Sequence, residues 1–220
     1  MKKPTLHYML STYRLDQLYL PAAFWALFAI VSLFQLEPDH LLDMARAYLG
    51  AVVPLVAGIM GAYAILDDPV LELRFATPAR AAAMLTERLG LIFAVQTLCA
   101  LTFQAFVLAF GANLSPLGNA FHVQLAWLIP TVSLMTLGCA ASLLGTQSMG
   151  GAFLVGLIWL VEILARGWLA HNNGKYVLIF MSALMPDHPD LTANQITLAV
   201  LSLTFLIVSW ALLRRQERYI

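Results

Sequence analysis

Residues 67 to 88 read DDPVLELRFATPARAAAMLTER, a charged stretch that separates two long apolar runs. It holds three of the twelve basic residues of the chain and four of the twelve acidic ones. Pro69 and Pro78 would each interrupt a helix that ran through the whole stretch. Thr77 is placed to cap a helix that starts at Pro78, where a missing N–H costs nothing, and that continues through Leu85. The pattern therefore predicts a polar segment outside the membrane that contains a short helix.

The composition of the whole chain is that of an integral membrane protein. Of its 220 residues, 61% are apolar and 11% are charged, against about 45–50% and about 25% in soluble domains. The mean hydropathy is +0.80. Basic and acidic residues balance at twelve each, so no overall basic field points to a nucleic-acid partner. Cys99 and Cys139 both fall in apolar runs without metal-ligand spacing, and we expect both to be core residues.

Six apolar runs predict an all-α fold with six transmembrane helices in a single domain of residues 1–220. They cover residues 18–36, 45–66, 89–111, 120–144, 152–164 and 196–213, with an extension of the fifth to residue 168 left open. A tight polar turn over residues 145–151 is expected between the fourth and fifth. The second run places Gly50, Pro54, Gly58 and Ala62 at four-residue intervals. That face is small enough for close contact with another helix.

Polar side chains inside the runs have a structural explanation. Gln96 and Gln104 lie two turns apart on the third predicted span, and we expect them to hydrogen-bond between helices rather than to line a pore. Thr131, Ser133 and Thr136 on the fourth predicted span are interpreted in the same way.

Two further segments are neither spans nor simple turns. Residues 1–17 place apolar side chains at helical spacing on one side, which predicts an amphipathic helix in the membrane interface. A frayed polar leader is the alternative. The apolar middle of residues 171–190 is about ten residues long, too short to cross a bilayer. It predicts a re-entrant hairpin on the extracytoplasmic side, before the sixth span.

The distribution of basic residues predicts the orientation. Six spans put both termini on one side, together with the charged stretch. Nine of the twelve basic residues lie on that side, and Arg46, Arg166 and Lys175 lie on the other. Because basic residues are enriched in cytoplasmic loops, the termini and residues 67–88 are expected in the cytoplasm, with the chain in the inner (plasma) membrane.

The charged stretch also carries a resemblance. From Glu72 to Arg80 the chain reads ELRFATPAR, and Met84-Leu85 and Glu87-Arg88-Leu89 follow. This resembles the cytoplasmic coupling-helix segment of the type-2 ATP-binding-cassette exporter permeases, in which a Glu-Leu, a Thr-Pro and a basic residue recur before the third span. The predicted layout of leader, six spans and re-entrant segment is similar to that family as well.

The resemblance implies a permease subunit of an ATP-driven exporter of hydrophobic or amphiphilic substrates. Such a permease dimerises, with a second copy or a homologous subunit, and pairs with a separate ATPase subunit. That partner would supply the ATP and Mg²⁺ chemistry, since residues 145–151 lack the lysine of a phosphate loop. By the resemblance, the residues that dock the ATPase subunit are Glu72, Arg74, Phe75, Thr77, Pro78, Ala79 and Arg80.

Glu162 is an acidic residue deep in a predicted span, and Arg166 follows four residues later on the same helical face. An intramembrane charge is expensive and needs a partner or a water-filled path. Two interpretations stay open: a structural ion pair, or a polar gate near the extracellular exit.

Other classes of function are less well supported by the residues. No Gly-x-Ser-x-Gly motif, facing pair of intramembrane histidines or carboxylate-rich metal set occurs in the sequence. We therefore expect no catalytic residues, metal site or cofactor in this chain, and an intramembrane enzyme is the weaker alternative. A non-transporting anchor or assembly subunit that holds a soluble partner through the same charged stretch is the other one.

Overall fold

The computed structural model describes residues 16–67 and 81–214, and every regular element in these two ranges is helical. The helices are α1 Asp16–Phe34, α2 Pro38–Ala47, α3 Val53–Tyr63, α4 Ala81–Ala109, α5 Ala120–Gly145, α6 Ser148–His171, α7 Met181–Leu184 and α8 Leu191–Leu213. A π-helix, Tyr48–Val52, joins α2 to α3, and short 3-10 helices form at Ser115–Leu117 and Asn173–Tyr176.

Five helices in the described residues are long and apolar enough to cross a membrane. They are the continuous helix Pro38–Tyr63, formed by α2, the π-helix and α3, together with α4, α5, α6 and α8. The first predicted span corresponds to α1, whose apolar part, Leu18–Phe34, is shorter. The chain is therefore an all-α, multi-pass membrane protein, as its composition predicts, whereas the count of six spans stays a prediction.

Two helices form the centre of the bundle. In the apolar part of Pro38–Tyr63, 67% of the residues are buried, and in α5 the share is 61%. The shares in α6 and α8 are 22% each. α5 contacts α3, α6 and α8, so the outer helices pack around the α3–α5 pair and turn their other apolar faces outward, as expected where lipid is the solvent.

Glycines bring α3 and α5 into close contact. A Cβ added at Gly138 would collide with the carbonyl oxygen of Gly58, and one added at Gly61 would collide with that of Met135. Only glycine allows two helix backbones to approach to this distance. The small face predicted on the second run is therefore a packing face, with Gly61 as an unpredicted member.

The third span begins earlier than expected. Ala81 to Leu85, predicted as the end of a separate short helix, form the first turns of α4, which continues without a break to Ala109. The run of three alanines from Ala81 favours helix, and no proline follows before residue 109. At 29 residues α4 is about 43 Å long, so it exceeds the roughly 30 Å of hydrocarbon.

Other helix ends also extend past the apolar runs. α2 begins at Pro38 rather than residue 45, and α8 begins at Leu191 rather than 196. The expected turn over 145–151 is reduced to Thr146 and Gln147, because α6 already starts at Ser148. Thr146 adopts a left-handed conformation with φ 56° and ends α5. Hydropathy marks only the lipid-facing part of a helix, and its polar ends continue beyond it.

Interhelical hydrogen bonds of the two glutamines are confirmed. Gln104 and Gln124 join α4 to α5, with Gln124 Nε2 donating to Gln104 Oε1 at 2.8 Å. Gln96 Nε2 lies 3.2 Å from Met60 Sδ on α3.

The prediction of interhelical hydrogen bonds was wrong for two of the three hydroxyl residues, Thr131 and Thr136, and it stays a prediction for Ser133. Thr131 and Thr136 donate to carbonyls four residues earlier in their own helix, Trp127 O and Val132 O. A buried hydroxyl in a helix has this acceptor within reach without help from a second helix.

Candidate functional site: a groove beside the π-helix

The second apolar helix widens at Tyr48–Val52, immediately before Pro54. The N–H of Val53 donates to Tyr48 O, five residues back, which is the π-helical pattern. Pro54 has no N–H to donate and its ring crowds the carbonyl of the residue four positions earlier, Gly50. The wider turn accommodates both effects. Single π-turns inside α-helices occur frequently at functional sites.

Trp159 of α6 connects the π-helix to the segment that follows α6. Its indole Nε1 donates to Ala51 O at 2.9 Å. Its ring meets Phe180 edge-on, with the centroids 6.2 Å apart. Next to Ala51 in the π-helix, Gly50 packs so closely against Ala183 that an added Cβ would overlap the Cβ of Ala183. Segment 173–190 is therefore seated directly on the π-helix.

Segment 173–190 contains two short helices, Asn173–Tyr176 and α7, neither of which is long enough to cross a bilayer. Leu178 and Met181 are fully buried. The segment therefore packs into the bundle as an irregular element, and the re-entrant hairpin expected here stays a prediction.

Two buried polar side chains hold this segment. The Glu162 carboxylate on α6, 7% exposed, accepts a hydrogen bond from the backbone N–H of Ile179 at 2.7 Å. Asn194 on α8 is fully buried and donates from Nδ2 to Lys175 O at 2.8 Å and to Leu178 O at 3.0 Å. Irregular backbone inside a membrane protein needs such partners, because lipid offers none.

An ion pair closes the ends of the segment. Lys175 Nζ donates to Asp190 Oδ2 at 2.6 Å. This hydrogen bond raises the pKa of Lys175 above its ordinary value and lowers the pKa of Asp190 below its own. Both groups therefore stay charged near neutral pH, and the closure persists across the physiological range.

The expected ion pair between Glu162 and Arg166 does not form. Glu162 is turned toward Ile179, while Arg166 is exposed and makes no ion pair within the described part of the chain. A backbone N–H with no helical partner competes for the carboxylate, and its hydrogen bond is shielded from solvent. The gate interpretation of these two residues is not tested by this arrangement and stays a prediction.

Arg166 instead lines a groove of about 290 Å³ between α2, the π-helix, α6 and segment 173–190. We call it the Arg46–Arg166 groove. Its charged residues are Asp43, Arg46 and Arg166, and its apolar wall is formed mainly by Ile163, Phe180, Ala183 and Leu184.

The charge of this groove is only partly balanced. Arg46 Nη1 lies 3.4 Å from Asp43 Oδ1, one turn earlier on α2, in a geometry with weak hydrogen bonding. The buried Nε of Arg46 has no hydrogen-bond partner in the residues described. Two guanidinium groups thus face one carboxylate beside an apolar wall.

The predicted docking residues Glu72, Arg74, Phe75, Thr77, Pro78, Ala79 and Arg80 lie outside the described residues. Their flanks are described. Ser148 Oγ, at the start of α6, donates to Asp67 Oδ1 at 2.6 Å. Arg88 is 5% exposed near the start of α4. The two ends of the charged stretch are thus held by the bundle, at the end opposite to the groove.

No protein-family model, curated protein or solved structure matches the chain. The described residues contain no cluster of three or more histidine, cysteine or acidic residues suited to a metal ion.

Sequence reasoning missed the π-helix, the hydrogen bond of Trp159 and the anchoring role of Asn194. Pro54 was a signal for the π-helix, since it lies in the middle of an apolar run without ending the predicted span. The position of Asn194 just before the sixth apolar run was a signal for its anchoring role, because a buried side-chain amide requires hydrogen-bond partners.

Proposed function

We propose that this chain is the transmembrane permease subunit of an ATP-driven exporter, with a separate ATPase subunit docked on residues 72–80. The observation that carries the proposal is the placement of the charged stretch. It joins the end of α3, a central helix of the bundle, to α4, which is longer than the hydrocarbon core is thick. Both of its flanks are held by buried or hydrogen-bonded groups.

The bundle offers a mechanical route from this stretch to the groove. α3 runs from Tyr63, four residues before the flank of the stretch at Asp67, to the π-helix at Tyr48–Val52. Its glycine-mediated contact with α5 makes the two helices a stiff pair. A displacement imposed by a docked ATPase would therefore reach the seat of segment 173–190, where Gly50 meets Ala183.

In this proposal the chain lies in the inner (plasma) membrane and crosses it six times. Both termini are then in the cytoplasm. α1 has 19 residues and is about 28 Å long, close to the hydrocarbon thickness. The N-terminal residues 1–17 would lie in the interface, and segment 171–190 would be re-entrant from the outside. A second permease copy or a homologous subunit would complete the transporter, which would export a hydrophobic or amphiphilic substrate.

Copurification tests the docking assignment. The tagged chain, extracted in mild detergent, is expected to bring down a soluble ATPase. Arg74→Glu combined with Arg80→Glu should abolish most of this association, because charge-assisted contacts orient a small docking helix in its partner's cleft. Arg215→Glu combined with Arg218→Glu, an equal charge change on the same predicted side, should leave it intact.

If both double variants lost the ATPase to the same extent, or if neither lost it, the docking assignment would be wrong. Transport that continues in cells lacking this chain would instead make it an anchor or assembly subunit.

A further inference from the structure

From the charge and lining of the Arg46–Arg166 groove we infer that it is a binding site for an anionic phospholipid. The acidic headgroup contacts the two guanidinium groups and the first part of an acyl chain lies along the apolar wall. This goes beyond the proposed transport function, and it concerns the chain by itself, with or without an ATPase.

The first argument is charge complementarity. The groove holds Arg46 and Arg166 against a single carboxylate, Asp43, whose contact with Arg46 is long and poorly formed. Glu162, which spacing alone would pair with Arg166, is committed to the backbone of Ile179. A phosphodiester can accept hydrogen bonds from both arginines, and guanidinium suits it because its donors match a pair of oxygens.

The second argument is the unpartnered donor. Arg46 Nε is buried without a hydrogen-bond partner among the described residues. Leaving a buried donor unsatisfied costs about 1–3 kcal/mol, more for a charged group. Because Nε itself is enclosed, an acidic headgroup can satisfy it only if the guanidinium of Arg46, whose side chain is 31% exposed, turns toward the groove.

The third argument is position. The groove lies beside the N-terminal part of the helix Pro38–Tyr63 and the last turns of α6, where apolar helices give way to polar connections. Phe180, Ile163 and Leu184 continue the groove as an apolar surface. A headgroup at this depth with its chain against these residues matches the layering of a membrane amphiphile, whereas a free anion would use only the arginines.

The test uses the purified full-length chain in a neutral detergent. Native mass spectrometry compares phosphatidylglycerol with phosphatidylcholine of the same acyl chains, and inorganic phosphate is added as a competitor. We expect phosphatidylglycerol to bind roughly tenfold more tightly, the ratio that one charge-assisted contact of ordinary strength supplies. Inorganic phosphate should not displace it at equal concentration.

Substitutions in the groove test whether the preference for phosphatidylglycerol arises there. Arg46→Gln combined with Arg166→Gln should erase the preference for phosphatidylglycerol, and Arg214→Gln, an exposed arginine at the far end of α8, should keep it. A photoactivatable phosphatidylglycerol should crosslink to residues 180–184 in the wild-type chain. This last readout needs no substitution, so it holds even if the double variant is unstable.

Three results would overturn the inference. One is an unchanged lipid preference in a folded double variant. Another is displacement by inorganic phosphate at equal concentration, which would make the ligand a free anion. The third is a crosslink between two copies of the chain through the groove, without lipid, which would make it an interface.

Discussion

At the scale of single residues, Glu162 shows how a buried charge is accommodated. Its carboxylate accepts from Ile179 N at 2.7 Å and does not pair with Arg166. Glu162→Leu should therefore lower the free energy of unfolding by about 1–3 kcal/mol, because it leaves the Ile179 N–H unsatisfied. Glu162→Gln keeps an acceptor oxygen and should remain close to wild type. Thermal unfolding in detergent measures both.

Arg166→Gln is the matched control, and it should change stability by no more than about 0.5 kcal/mol, as for an unpaired surface residue. If Glu162→Gln and Arg166→Gln each destabilised the protein and the double variant recovered, the two residues would form an ion pair after all. Lost transport in a stable Glu162→Gln variant would instead support the gate interpretation.

At the scale of helices, the α3–α5 contact depends on glycine at a few positions. Gly138→Ala places a Cβ against Gly58 O and should cost about 1–3 kcal/mol of stability, since neither backbone can yield easily. Gly156→Ala on α6 has nothing within 4 Å of the added Cβ and should be neutral or slightly stabilising. Thermal unfolding of the two variants side by side provides the comparison, and equal losses would contradict the packing role.

At the scale of the whole molecule, we expect the two ends of α6 to lie on opposite sides of the membrane. In a background of Cys99→Ala and Cys139→Ala, single cysteines at Asn173→Cys and Asp187→Cys should react with an impermeant maleimide in intact cells. Gln147→Cys, at the other end of α6, should react only after permeabilisation. All three positions are exposed, so accessibility to the reagent does not depend on unfolding.

Labelling of Asn173→Cys and Asp187→Cys from opposite sides would mean that segment 173–190 crosses the membrane. Labelling of Gln147→Cys in intact cells, with Asn173→Cys and Asp187→Cys labelled only after permeabilisation, would mean that the orientation is the inverse of the one predicted from the basic residues.

The sequence by itself determined the class of the protein and the approximate place of its membrane helices. Long apolar runs have few ways to bury their backbone in lipid, and a helix satisfies each N–H and C=O locally. The small face of Gly50, Pro54, Gly58 and Ala62 could be predicted for the same reason, since helical periodicity is a property of one helix. Helix ends were less predictable, because the partly polar stretches 38–44 and 191–195 are already helical ahead of the apolar runs.

Only the tertiary structure decided which groups meet in the site. Spacing along α6 brings Glu162 near Arg166, yet the backbone of a segment seventeen residues later takes the carboxylate. Spacing alone likewise does not place Arg46 and Arg166, 120 positions apart by their numbers, on one groove. Contacts of this kind depend on how an irregular segment seats on a π-helix. Periodicity describes one helix at a time, whereas the groove is formed where three helices and a loop converge.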